Sequence, residues 1–208
     1  MRLKTILLNA VPPRLRRFVA GEQGVTAIEF ALVLPVVLLI LLGCFEVPRY
    51  VLIVQKIART SSGVADLTAQ ADEPLTKNQV DDIFKAGKVM MEPYDVVANG
   101  KIYVSSINNP GGGGVALTWQ RDNGGTGPAS RITATTIANG TGVPVALRPI
   151  SNEEVLAAEV FFTYQPIFST LIYSGSTLYR VSYTRPRNKN LMTPPPLTCD
   201  PSDADGQC

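Results

Sequence analysis

Histidine is absent from the 208 residues of this chain. That absence removes histidine general bases, Ser-His-Asp triads and the commonest zinc ligand sets together. Serine–lysine chemistry finds no S-x-x-K, and no G-x-S-x-G elbow occurs. No catalytic residue and no enzymatic activity are therefore expected. Charge is scarce and nearly balanced, with 19 Lys and Arg against 17 Asp and Glu, a net +2. Beyond the N-terminal stretch the cations are scattered, so there is no basic stripe for nucleic acid. The glycine-rich stretches Asn108–Gly114 and Asp122–Pro128 are followed by no Lys-Ser or Lys-Thr, and so are not phosphate cradles. Cysteine is limited to three residues. Cys44 lies in an apolar run and reads as a small apolar side chain, leaving Cys199 and Cys208 as the pair that could meet. In an oxidising compartment their bridge would close a short loop; the spacing permits this without requiring it. Asp203 and Asp205 look faintly like a calcium loop, but Pro201 stands where the first acid belongs, so no metal and no cofactor are expected.

What the chain does contain is one long apolar run, from Val25 to Phe45, with Glu29 as its only charge. At about 1.5 Å per helical residue it is long enough for a hydrocarbon core of about 30 Å. A membrane-spanning helix is predicted, tolerant of Pro35 where neighbours satisfy the freed carbonyl. Before it stand Arg2, Lys4, Arg14, Arg16 and Arg17 against Glu22. That basic flank is retained in the cytoplasm under the positive-inside rule, so the remainder is expected on the far side. A removable secretory signal has a shorter apolar region and an A-x-A-like site, both missing here. A carboxylate just inside an apolar span is costly, which makes Glu29 a functional candidate. Were the chain cut after Gly24, the new α-amino group of Val25 would lie about one turn from Glu29 in the same chain, or opposite it in a neighbour.

The pattern then changes. Tyr50, Val51, Val54, Ile57, Ala58 and Ala65 recur at spacings of three and four, predicting an amphipathic continuation over 49–72. Pro48 leaves two readings: a bend in a continuous rod, or a stop at Glu46 and a restart. Thr76-Lys-Asn-Gln79 has capping-box spacing and opens a second helix with Val80, Ile83, Phe84 and Met90 or Met91 on one face, closed by Pro93. After Asn99-Gly100 the period becomes two, with strands predicted where Ile102, Val104 and Ile107 alternate with polar residues, over Val115–Gln120, over Val155–Tyr164 and over Thr177–Arg185. The last two suit an antiparallel pair, one face of which covers the amphipathic helix. Thr193-Pro-Pro-Pro196 begins a stiff polar tail. The organisation is thus a basic leader (1–24), a transmembrane helix (25–48), its amphipathic extension (49–72), an exported α+β domain (73–188) and a Pro-rich polar tail (189–208).

Gly24-Val-Thr-Ala-Ile-Glu29-Phe30 through Pro35 resembles the processing motif and first helix of the TadE-like family, minor pseudopilins of the tight-adherence (Tad) pilus system. Met90-Met-Glu-Pro93, Trp119-Gln-Arg121, Ala158–Pro166, Leu178-Tyr-Arg180 and Arg185-Pro-Arg187 are also similar to sequences of that family. Phe30 stands where the family pattern favours tyrosine, and Pro48 is unexpected in the first helix. The resemblance implies a pilin-like α+β fold and cleavage by a prepilin peptidase between Gly24 and Val25. It implies a single-pass protein of the bacterial inner membrane, N-terminus cytoplasmic and C-terminal domain periplasmic, whose partners are other pilins or pseudopilins and the Tad assembly machinery. Glu29, with Phe30 beside it, would pair with the freed amine of Val25 during assembly. The other reading is an uncleaved, single-pass periplasmic anchor or adaptor.

Overall fold

A computed structural model describes residues 23–71, 75–111, 114–167 and 175–187. Two compact units divide at Pro48 and Arg49. One helix, α1 (Gln23–Ala69), contributes to both and runs through Pro35 and Pro48 without interruption, so the chain does not stop and restart at Glu46.

In the first unit the described part is the N-terminal stretch of α1. It is apolar on all sides and uncovered: Leu32 is 71% exposed and Ile40 62%. Mean hydropathy reaches 2.7 over its most apolar window, enough by length and composition to cross a membrane. Such a helix is soluble in lipid or against other apolar helices, and not in water.

The second unit is α+β. After α1 come α2 (Lys77–Met91), the short α3 (Val96–Asn99), β1 (Gly100–Asn109), β2 (Ala116–Asp122), the short α4 (Ala134–Ala138), a 3-10 turn at Val145–Leu147, β3 (Glu153–Tyr164) and β4 (Ser176–Thr184). The strands form one antiparallel sheet in the order β2-β1-β3-β4. The predicted capping box is present: the Gln79 amide donates to Thr76 Oγ1 at 3.3 Å and the Thr76 amide to Gln79 Oε1 at 2.9 Å.

Strand alternation sends two sets of side chains to opposite faces of the sheet. On one face Ile102, Val104, Ala158, Val160 and Phe162 meet Ile53, Ile57 and Val64 of α1 and Val80 and Phe84 of α2. Ser61 of α1 crosses this interface, its hydroxyl lying 3.1 Å from the carbonyl of Ala158 and 2.8 Å from the Ser182 hydroxyl. On the other face Ile107 and Ala157 pack with Ile132, Ile137 and Val143, so the segment between β2 and β3 forms a third layer. The helical layer is the one expected from the periodicity of residues 49–72; the third layer has no such pattern. The third layer has few regular elements, and its carbonyls are satisfied by sheet side chains. Tyr103 donates to the carbonyl of Pro128 (3.1 Å), Gln120 to that of Ile132 (2.8 Å) and Tyr183 to that of Gly142 (3.0 Å).

Candidate functional site

Gly24, Val25, Glu29 and Phe30 all fall in the opening turns of α1. Val25 is 58% exposed and Phe30 65%, and Glu29 is exposed too. Val25 and Glu29, four positions apart, share one face of the helix about 6 Å apart along its axis. No described residue pairs with Glu29. Glu29 lies beyond the first turn of α1, out of reach of the helix dipole, so the partner that suits its carboxylate is a cation brought by proteolysis or by another chain. The Gly24–Val25 peptide is helical in this structure. A protease cleft takes an extended strand, so cleavage requires the first turn to unwind, which costs little at a helix end. Gly24 eases that step because it adopts extended and strained conformations without a Cβ clash.

Cys44 is a free, exposed thiol on the apolar helix. Cys199 and Cys208, with the basic leader and the Pro-rich tail, lie outside the described residues. Among the described residues no group of three or more Cys, Asp or Glu side chains is placed to hold a metal ion.

A second constellation was not legible as a site. Glu159, in the centre of β3, is fully buried. Its carboxylate accepts hydrogen bonds from the Ser130 hydroxyl, the Arg131 amide (3.1 Å) and the Tyr179 hydroxyl (2.9 Å). Arg131 also lies over the Tyr179 ring, 4.1 Å from its centroid. Gln120 Nε2 reaches Ser130 Oγ at 2.9 Å and Ser105 Oγ at 2.7 Å. Burial, and next the Glu159 charge, push the Tyr179 hydroxyl far above its usual range. The Tyr183 hydroxyl is raised for the same reasons in the same order. Each oxygen of the Glu159 carboxylate accepts from at least one described donor. Chemically it is a clamp that holds the third layer to the sheet. The signal for it was an acid between Ala157 and Phe161 in the otherwise apolar run Val155–Phe162, on the face opposite the helices.

Glu154, near the start of β3, is 5% exposed. Ser106 donates to one of its oxygens, while the other has no partner among the described residues. Burial outweighs that bond and raises its carboxyl above the usual range.

The fold therefore defines a class: an α+β protein with one N-terminal helix long and apolar enough to cross a membrane, carrying an acid in its opening turns. Residues 24–65 match the family described as TadE-like protein, which bears out the resemblance of the Gly24–Pro35 segment. That TadE-like region, the apolar helix and its amphipathic continuation, associates the chain with the Tad pilus system. No curated protein matches the chain, and no solved structure does.

Proposed function

We propose that this chain is a minor pseudopilin of a Tad-type pilus, a structural component of assembly and not an enzyme. The observation that carries the reading is the placing of Gly24, Val25 and Glu29 together at the start of an uncovered apolar helix, inside the TadE-like match. On this reading a prepilin peptidase cuts after Gly24 from the cytoplasmic side of the inner membrane. The freed Val25 amine then neutralises Glu29 of the same or a neighbouring subunit. Two charges that are each costly in lipid become one buried pair, so removal of the leader and assembly are coupled. The α+β domain is exported, contacts other pilins or pseudopilins, and supports pilus biogenesis and surface adhesion. Replacement of Gly24 by Val tests this. Gly24→Val should leave the chain at full length and reduce piliation, whereas normal piliation by the uncut variant would contradict it.

One observation also suits a second reading: Gln23, Gly24 and Val25 all lie within α1. An intact helix there suits an uncleaved membrane anchor whose periplasmic domain serves as an adaptor. Full-length protein in wild-type, piliated cells would select that reading.

A further inference from the structure

We propose that the end of the α+β domain nearest Arg49, with Tyr50, Val51, Leu52 and Ile167 exposed and the buried Tyr164 behind them, is seated in the headgroup layer of the membrane and fixes the domain's depth against it. The inference rests on residues 25–48 spanning the bilayer, and not on the pseudopilin reading.

From Val25, a hydrocarbon core of about 30 Å takes up about 20 helical residues, and each headgroup layer adds several ångströms more. Helix α1 continues without a break, so Arg49 to Leu52 emerge at headgroup depth through the covalent chain alone. On its outward face α1 stays apolar past Arg49: Val51 is 44% exposed and Leu52 56%. The first outward polar residues are Gln55 and Arg59. Water would penalise that extension; the lower headgroup layer would not.

The sheet brings Tyr164 to the same depth. The Tyr50 and Tyr164 rings meet edge to face with centroids 5.2 Å apart. Arg49 Nη1 donates to the Gln165 carbonyl at 3.2 Å, and its guanidinium lies 5.6 Å from the Tyr164 ring centroid. The C-terminal end of β3 is therefore held at the level of Arg49. Ile167, three residues beyond the end of β3, is 59% exposed. Tyrosine with aliphatic neighbours and an arginine able to keep its head in a polar layer is the composition that partitions to a membrane interface. Continuity with the apolar helix selects lipid over a soluble partner as the occupant.

The test uses the full chain in phosphatidylcholine and phosphatidylglycerol vesicles, with single exposed residues replaced by Trp and the native Trp119 as a constant background. Leu38→Trp reports the span, Leu52→Trp and Ile167→Trp the seat, and Val145→Trp, in the 3-10 turn, the free surface. Expected results are loss of Leu38→Trp emission to lipids brominated deep in the acyl chains, and loss of Leu52→Trp and Ile167→Trp emission to lipids brominated near the headgroup. Aqueous iodide should quench Val145→Trp and spare Ile167→Trp. Deep quenching of Leu38→Trp with Ile167→Trp open to iodide and blind to brominated lipid would overturn the seat alone. An unquenched Leu38→Trp would overturn the span and the seat with it. Iodide protection of Ile167→Trp that rises with protein concentration in detergent, with no lipid response, would assign the patch to a second copy and also overturn the proposal.

Discussion

The Tyr179 hydroxyl donates to Glu159 Oε1 at 2.9 Å across the β3–β4 ladder, while Ser130 and Arg131 hold the same carboxylate from the third layer. One buried acid thus ties two strands to the segment that covers them. Its donors are fixed by the strand pairing on one side and the 128–132 backbone on the other.

Glu159→Ala removes the acceptor and leaves Ser130, the Arg131 amide and Tyr179 without it in a buried site. A loss of about 3 kcal/mol is expected, since breaking a buried charged network strands its remaining members. Tyr179→Phe removes one donor and should cost about 1.5 kcal/mol. Denaturant melts of the purified chain in detergent check both. Equal stability of Glu159→Ala and the parent would show that the clamp does not hold the third layer.

The Glu154 carboxyl is raised by burial, and the sign of its effect follows. A folded-state value above the unfolded one means that folding takes up a proton. The contribution is fully present below the ordinary glutamate value of 4.5 and is lost as pH rises through the higher folded value. Stability should therefore fall as pH rises above that ordinary value, and Glu154→Gln should flatten the fall and gain relative stability at the higher pH. Tyr179 and Tyr183, raised from an ordinary value of 10.0, enter only at alkaline pH and leave this window clear. Melts of parent and Glu154→Gln at acidic and neutral pH decide the matter; parallel profiles would contradict it.

Gly100 opens β1 where an added Cβ would meet the backbone oxygen of Phe161 at 2.3 Å. Its φ of −165° is ordinary extended backbone, so the constraint is the close approach of β3 and not the dihedral. Gly100→Ala should cost about 1–3 kcal/mol through forced separation of the strands. Gly43→Ala, with nothing within 4 Å of the added atom, should cost nothing measurable. Thermal melts that rank the two alike would count against the assigned contact.

Much of this fold was legible in the sequence because its signals are periodic. The apolar run, the Thr76 capping box and the alternation around Phe161 and Tyr164 each state a local structure, and each element is present. The third layer was not legible, because residues 123–150 hold the sheet through carbonyls that accept from Tyr103, Gln120 and Tyr183, and such pairing has no period. Glu159 shows the same limit: its partners Ser130 and Tyr179 are distant in sequence and meet only after the sheet has formed. At the start of α1 the reverse holds. The spacing of Gly24 and Glu29 can be read without coordinates, since an acid in an apolar helix is anomalous wherever the helix goes.

Glu29→Ala should leave membrane insertion intact, because it removes a charge from the apolar segment. It should lower incorporation of the subunit, and with it piliation, about tenfold, the factor that roughly 1.4 kcal/mol of lost pairing makes in one binding equilibrium. Glu29→Asp, which keeps the charge on a shorter arm, should retain part of the assembly. Counting of surface fibres alongside membrane fractionation separates the two effects, and wild-type fibre numbers for Glu29→Ala would remove the charge-pairing account.

The most direct measurement is the intact mass, with N-terminal sequencing, of the protein extracted from piliated cells. The account predicts a chain beginning at Val25, with its amine free to meet Glu29. A chain that retains Met1 in cells bearing normal pili would contradict it and leave α1 as an anchor alone.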